Sequence, residues 1–235
     1  MTVDEELIAR GFWGPRQEDV GQVARKLGAF IAGLDEVLGE KISWSSPALP
    51  GKPLEERDNA LQAISDAFRE NTDAPHLGIS QSYRARGNRI DTAAITLIVG
   101  GYSESAKVRN SFVVKWRGAD IATLAGPILR QLVSAWDPDW AAVTSRSFTD
   151  ALAEVQPVGK PGPKLGYLNY LSEGRAKALP GGMDKHLAKL DNGGVVIGSG
   201  GGGDGFLSVD KATEFAKVLR LSAAFSPTPT TRSKL

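Results

Sequence analysis

The sequence contains no cysteine among its 235 residues and only two histidines. Without cysteine the chain forms no disulfide bond and no thiolate metal site, a composition that fits a reducing compartment. The two histidines, His76 and His186, lie far apart in unrelated contexts, which makes a histidine-based metal site or a Ser-His-Asp triad difficult to assemble. Each is interpreted as an ordinary, partly exposed side chain.

Long apolar runs are missing as well, and none of the existing ones is long enough to cross a bilayer. The first residues, Met1–Glu6, are acidic and lack the basic region and apolar run of a secretory signal. We therefore expect a cytoplasmic protein that contacts no membrane. With 41% hydrophobic residues and 23% charged residues, the composition is typical of an ordinary globular protein.

The length allows a hydrophobic core that needs no disulfide or metal to hold it. We expect one domain over residues 1–225. The segment that follows, residues 226–235, is rich in proline, threonine and serine and is predicted to be disordered.

An excess of charge of one sign is also lacking, since the net charge is +1. The charges are nevertheless distributed unevenly, because residues 1–75 hold 14 acidic and 8 basic side chains. An acidic N-terminal third is a possible docking surface for a basic partner. The alternative is that these acids lie on the solvated outer faces of two helices.

Hydrophobic periodicity predicts an alternation of helices and strands along the chain. The predicted strands are 7–13, 77–84, 92–99, 111–117, 140–144, 165–171 and 194–198. The predicted helices are about 17–38, 54–70, 121–136 and 209–224, and Ser43–Pro53 is predicted to be a loop. Strands in runs with helices grouped before and after them favour an α+β fold with a mainly antiparallel sheet flanked by helices.

Two further segments are candidates for ligand binding. The glycine run Gly198–Gly205 lacks the Lys-Ser/Thr end of a phosphate-binding loop, and Asp204 would repel phosphate, so a flexible loop is the preferred interpretation. Three basic residues, Arg84, Arg86 and Arg89, are close in sequence with only one aromatic residue beside them. This pattern favours a solvated basic surface over direct binding of nucleic acid.

The segment Trp136-Asp137-Pro138-Asp139-Trp140 is the strongest candidate for chemistry. Two carboxylates two residues apart could bind Mg²⁺, as in one half of a nuclease site. Such a site also needs an acid-x-Lys sequence on a following strand, whereas Lys115 comes earlier and has Val113 two residues before it. A metal-dependent enzyme that uses Asp137 and Asp139 therefore remains the alternative. The preferred interpretation is a turn at a helix exit, with both indoles packed on the core.

Three motifs in order resemble the bacterial immunity protein 52 family. The first is Gly11-Phe12-Trp13-Gly14-Pro15-Arg16, which leads into an amphipathic helix. The second is Ala135-Trp136-Asp137-Pro138-Asp139-Trp140. The third is Gly166-Tyr167-Leu168-Asn169-Tyr170-Leu171, followed by Ala178-Leu179-Pro180. The resemblance extends over about residues 7–222. It departs from the family at Tyr167, where tryptophan is common, and at the glycine run.

The resemblance implies an antitoxin that binds a cognate toxin protein, usually a nuclease similar to restriction endonucleases and delivered by type VI or contact-dependent secretion. It implies no catalytic activity, no cofactor and no bound metal, and it leaves the oligomeric state open. The motif residues are expected to be mostly structural: Trp13, Gly14, Pro15, Arg16, Trp136, Asp137, Pro138, Asp139, Trp140, Gly166, Tyr167 and Tyr170. A structural subunit of a secretion apparatus is a further alternative.

If the toxin is a nuclease with a basic cleft, an acidic surface is expected to dock into it. The candidate docking residues in the acidic N-terminal third are Asp35, Glu36, Glu40, Glu55, Glu56 and Asp58. Such charge complementarity would increase the association rate more than the affinity.

Overall fold

The computed structural model describes residues 5–47, 49–54, 56–105, 109–118, 121–156, 161–199 and 205–235. The glycine run Gly198–Gly205 falls largely outside these ranges, so its interpretation as a flexible loop stays a prediction. The strands are β1 Leu7–Trp13, β2 Ser43–Ser46, β3 Leu49–Pro53, β4 Ile79–Arg86, β5 Thr92–Val99, β6 Asn110–Arg117, β7 Trp140–Thr144, β8 Leu168–Leu171, β9 Leu187–Lys189 and β10 Val195–Ile197. The helices are α1 Val20–Leu38, α2 Arg57–Glu70, α3 Ile121–Trp136, α4 Arg146–Ala151, α5 Glu173–Lys177 and α6 Val209–Leu219.

The strands form one sheet of ten in the order β3-β2-β4-β5-β6-β1-β7-β8-β10-β9. Every strand pair in this sheet is antiparallel. This arrangement confirms the prediction of an α+β fold with a mainly antiparallel sheet.

Strand β1 lies at the centre of the sheet, between β6 and β7. Its side chains alternate between the two faces, as the period of two in an extended chain requires. On one face Leu7, Ala9 and Trp13 are fully buried, and on the other Ile8 and Arg10 are partly exposed. Strand β1 is the first in the sequence, yet it pairs with β6 and β7, which follow it by about 100 residues or more.

Helices α1, α2 and α3 pack on the first face of the sheet and form the larger hydrophobic core with it. Helices α4 and α6 contribute to a second core on the opposite face, against β7, β8 and β10. The second face of β4, β5 and β6 contributes no residue to this second core. The sheet is therefore covered on both faces in its C-terminal half and on one face in its N-terminal half.

The predicted helix starts differ from the structure for local reasons. Helix α1 begins at Val20 and not at residue 17, because the Asp19 side chain accepts a hydrogen bond from the Gln22 N–H and the Asp19 N–H donates one to the Gln22 side-chain oxygen. Helix α2 begins at Arg57 and not at residue 54, because the N–H of Leu54 donates to the carbonyl of Trp44 at 3.0 Å. Residue 54 thus belongs to the β2–β3 region.

The segment Ser43–Pro53, predicted to be a loop, contains strands β2 and β3. Its serine, proline and glycine residues hide the strand pattern, but Trp44 and Ser46 are buried on alternate positions. Pairing of Ser43 and Ser45 with β4 determines the strand, and this partner lies about 40 residues further along. A long-range hydrogen-bond partner overrides a weak local preference here.

The tail, residues 226–235, differs from the expectation of disorder, because the structure places it against the body of the protein. The carbonyl of Ser226 accepts a hydrogen bond from Arg175 at 2.9 Å, and the Thr228 hydroxyl donates to Asp139 at 2.8 Å. The N–H of Gly14 donates to the carbonyl of Ser233 at 2.9 Å. Composition predicted disorder because the tail has little apolar surface to bury, yet buried polar groups bind it instead.

Tyr83 on β4 suggests a test of this core. Its side chain is fully buried in the larger core, and its hydroxyl has no hydrogen-bond partner among the described residues. Burial raises the pKa of this phenol well above its ordinary value of 10.0. Burial also raises the pKa of Tyr170 to about 12.

Because the buried phenol of Tyr83 lacks a partner, we predict that Tyr83→Phe raises the free energy of unfolding by about 1 kcal/mol at neutral pH. The gain should increase above about pH 10, because there the wild-type unfolded chain loses a proton from this phenol that the folded chain retains. Urea unfolding at neutral and alkaline pH measures both effects. Tyr102→Phe, at a position 38% exposed, is the control at neutral pH. A lower stability of Tyr83→Phe at neutral pH would contradict the prediction.

Candidate functional site

The first two motifs meet in space where β1 leaves the sheet. Trp13 stacks on Trp136 with ring centroids 5.9 Å apart, and both indoles are buried. The guanidinium of Arg16 lies 4.5 Å from the centre of the Trp13 ring and donates to the carbonyl of Trp136 at 2.8 Å. Burial lowers the pKa of Arg16, an effect that the nearby carboxylates of Glu18 and Asp137 oppose. Arg16 thus links the segment that follows β1 to the C-terminal end of α3.

Asp139 is the centre of a buried polar cluster. Its carboxylate is fully buried and forms an ion pair with Arg175, also fully buried, at 2.6 Å. It accepts hydrogen bonds from the Ser172 hydroxyl at 3.1 Å, the Thr228 hydroxyl at 2.8 Å and the N–H of Leu235 at 3.0 Å. Four groups from two segments, the start of α5 and the C-terminal tail, therefore share one carboxylate, which meets the requirement that a buried charge be paired and hydrogen-bonded.

The two carboxylates of the second motif do not act together. Asp137 has φ 46°, in the left-handed region, and its exposed carboxylate pairs with Lys234 at 2.5 Å. Asp139 lies in the interior and its oxygens are occupied by donors of the chain itself. Among the described residues, no group of three or more histidine or acidic side chains is placed to hold a metal ion. The geometry gives no support to a metal site built on this pair.

The third motif lies on β8, beside β7. An ideal Cβ at Gly166 would lie 2.1 Å from the carbonyl oxygen of Val143, so only glycine permits this approach of the two chains. The ring of Tyr167 stacks on Phe206, with centroids 4.8 Å apart. Tyr170 is buried and its hydroxyl accepts a hydrogen bond from the Asn192 amide at 2.9 Å. These contacts are structural.

Gly14 of the first motif provides the contact with the tail. An ideal Cβ at this position would lie 2.3 Å from the carbonyl oxygen of Arg232 and 2.6 Å from that of Pro229. The tail therefore crosses directly over the corner, where any side chain would push it away. The three motifs and the tail form one continuous structural unit, centred on Asp139.

The acidic residues predicted for docking are distributed over the α1–α2 side of the protein, and some have internal roles. The carboxylate of Glu40 accepts the N–H groups of Asn88 and Arg89, and these bonds lower its pKa. Asp35 accepts the N–H of Ile42 at 3.0 Å.

The other predicted acids have fewer contacts. Glu56 accepts a hydrogen bond from Asn59 at 3.0 Å, and Glu36 and Asp58 are exposed. Glu55 lies outside the described residues. The acidic docking surface stays a prediction that rests mainly on Glu36, Glu56 and Asp58.

A second surface emerges from the pairing of strands on the uncovered side of the sheet. We call it the open sheet face. Its residues, which alternate with those of the larger core, are Ile8, Arg10, Ser80, Ser82, Arg84, Arg86, Thr92, Ala94, Thr96, Ile98, Val113, Lys115 and Arg117. Across the sheet Arg84 lies opposite Ala94, which lies opposite Lys115. Four strands thus bring together cations that are far apart in the sequence.

Two depressions lie on this surface. One, of about 680 Å³, is lined by Arg84, Arg86 and Lys115. The other, of about 980 Å³, lies between the open sheet face and α4, where Arg10 and Arg117 line it. The sequence predicts a solvated basic segment at Arg84 and Arg86. That these side chains share a face with cations of β6 and β1 does not follow from the sequence, since only strand register brings them together.

The family model described as immunity protein 52 matches residues 5–198. Among solved structures, a Pseudomonas aeruginosa T6SS protein is similar, with 16% sequence identity and a TM-score of 0.47. That similarity covers 83% of this chain and 66% of the other, so this chain spans slightly less than two thirds of the other chain's length. No curated protein matches the chain by sequence.

The buried cluster predicts the effect of removing one charge. Asp139→Asn leaves Arg175 buried without its counter-ion, and we expect a loss of about 3–5 kcal/mol in the free energy of unfolding. We also expect the tail to dissociate, since Thr228 and Leu235 lose their charged acceptor. Urea unfolding measures the first effect, and hydrogen exchange of residues 226–235 measures the second.

The matched control is Asp137→Asn. Asparagine tolerates the left-handed conformation at this position, and the exposed ion pair with Lys234 contributes at most about 1 kcal/mol. The control should therefore unfold close to the wild-type midpoint. Equal midpoints for Asp139→Asn and the wild type would show that the buried pair does not hold this region together.

Proposed function

The chain belongs to the immunity protein 52 family, and from this membership we propose that it binds and neutralises a cognate toxin without catalysing a reaction itself. As a member of this family the chain has an immunity role. The finer proposal concerns how this chain performs it. A protein of this class has to present a stable surface to its toxin, and the described fold offers one.

The main support for a role without catalysis is that the Asp139 carboxylate is bound by other groups of the chain. Of the residues that the sequence offered for metal chemistry, Asp139 is buried in an ion pair with Arg175 and Asp137 pairs with Lys234 at the surface. His186 packs edge-on against Phe215, with centroids 5.0 Å apart. Burial, together with Lys211 and Lys185, lowers its pKa, which disfavours the charged form. These groups have partners within the chain, and among the described residues they form no group placed to hold a metal ion.

We further propose that the toxin is a nuclease similar to restriction endonucleases, delivered by type VI or contact-dependent secretion. The proposed place of action is the cytoplasm, where such a toxin meets its substrate. The absence of cysteine is compatible with that compartment. None of the described helices has both the length and the apolar character needed to span a membrane.

A structural subunit of a secretion apparatus is the alternative to an inhibitor. Such a subunit would co-purify with sheath or baseplate components, whereas an inhibitor would co-purify with one toxin. The alternative of an enzyme built on Asp137 and Asp139 has to place both carboxylates on one substrate. The burial of Asp139 speaks against it.

The proposal predicts that cells expressing the toxin encoded beside this chain's gene survive only when this protein is also produced. Colony counts with and without the protein measure the protection. The purified protein alone, incubated with DNA and RNA in the presence of Mg²⁺, is expected to leave both intact. Asp137→Asn should protect as well as the wild type, because its carboxylate has no catalytic role in this proposal.

Two outcomes would contradict the proposal. One is death of the co-expressing cells although the protein is present at levels comparable to the toxin. The other is cleavage of nucleic acid by the purified protein that disappears in Asp137→Asn, which would favour the enzyme alternative.

A further inference from the structure

The open sheet face is left uncovered by the described part of the chain. On the same side of the sheet, β7, β8 and β10 are covered by the second core, with Phe215 of α6 and Phe148 of α4 packed against them. Over β4, β5 and β6 the described chain supplies no such cover. The residues between the cations, Ser82, Ala94 and Thr96, are small or hydroxylated, and Ile98 and Val113 add apolar surface beside them. Small side chains allow close approach of another backbone or side chain.

The described residues neutralise the charge of this face only in part. Arg84 and Arg86 are exposed, and neither side chain has a polar partner among the described residues. Lys115 and Arg117 both approach the carboxylate of Glu6, each at 3.7 Å, and so share one counter-ion.

Arg10 adds a fifth cation at the centre of the sheet. Its Nε is buried and lacks a hydrogen-bond partner in the described part of the chain. Burial lowers the pKa of this guanidinium, although an arginine stays charged at neutral pH. A partly desolvated cation has already lost some of its water, so that less desolvation remains when a carboxylate binds it. The sheet holds it in a fixed position between β6 and β7.

We propose that the open sheet face is the surface that binds the toxin, and that it contacts an acidic region of that toxin. This inference rests on the proposed function and identifies the site that performs it. The carboxylates of the partner would pair with Arg84, Arg86 and Arg10. Arginine is suited to this role because its planar guanidinium binds a carboxylate through two parallel hydrogen bonds. The acidic surface around Glu36 and Asp58 is the alternative docking proposal.

A protein surface fits this face better than a nucleic acid does. Single-stranded nucleic acids bind proteins by stacking on exposed aromatic rings, and on β4, β5 and β6 the open sheet face has no aromatic side chain, since Tyr83 points into the core. Two carboxylates, Glu5 and Glu6, lie among the cations and would repel phosphate groups. A protein partner can offer groups of both signs.

A second copy of the chain fits less well. Two-fold symmetric pairing sets the same patch of both copies against itself. The cations Arg84 and Arg86 of one copy would then face those of the other, and like charges in close contact oppose association. A partner with an acidic surface removes this repulsion.

The test uses the full chain and the toxin encoded beside its gene, purified in a catalytically inactive form. Arg84→Glu combined with Arg86→Glu reverses two exposed charges on the open sheet face. The matched control, Lys217→Glu with Arg220→Glu on the outer side of α6, changes the net charge equally. We expect the first variant to raise Kd by about 100-fold and the control to change it by less than about threefold. Circular dichroism and the urea midpoint verify that both variants fold.

A third variant, Glu36→Lys with Asp58→Lys, tests the alternative surface. We expect it to leave Kd within about threefold of the wild type. Loss of binding in this variant, with binding retained after reversal of Arg84 and Arg86, would overturn the inference and place the toxin on the acidic side. A wild-type protein that fails to bind the toxin would instead contradict the proposed function.

Two other outcomes would also overturn the inference. One is binding of a fluorescently labelled DNA duplex that the reversal of Arg84 and Arg86 abolishes while toxin binding stays intact. The other is a wild-type dimer that becomes a monomer in that variant, as measured by sedimentation equilibrium, with toxin binding unchanged.

Discussion

The ion pair between Asp139 and Arg175 is the interaction on which the arrangement of the chain depends. A buried carboxylate and a buried guanidinium are unfavourable unless they are paired and hydrogen-bonded, so the segments that supply their partners are fixed in place. Here those segments are the turn after α3, the start of α5 and the C-terminal tail. The tail is thereby ordered by polar contacts, although its composition offers little apolar surface.

The residues of the three motifs have structural roles around this cluster. Trp13 and Arg16 secure the end of α3, Gly14 leaves room for the tail, and Gly166 lets β8 approach β7. Residues that the sequence offers as candidates for metal binding or catalysis therefore serve packing and hydrogen bonding. The proposed partner surface lies elsewhere, on strands whose outward side chains belong to none of the motifs.

The two halves of the sheet differ in how many of their faces are covered by helices. The C-terminal half is enclosed between helices on both faces, whereas the N-terminal half has helices on one face only. Antiparallel sheets tolerate such an open face when its residues are mostly polar, as are Ser80, Ser82, Arg84 and Arg86 on β4 and Thr92 and Thr96 on β5. In the proposed function this face meets the toxin, and its hydrogen-bonded strands hold the guanidinium groups at fixed spacing.

The sequence by itself determined the strands and helices with strong periodicity, such as β1, β5 and α3, because alternate or helical spacing of apolar residues is a local property. It also determined the antiparallel α+β class and, through the three motifs, the family. Only the tertiary structure decided that Ser43–Pro53 forms two strands, that the tail is bound, and that Arg84 and Lys115 share one face. Each of these depends on a partner distant in sequence, and strand register and buried charge pairs are set by such partners and not by local composition.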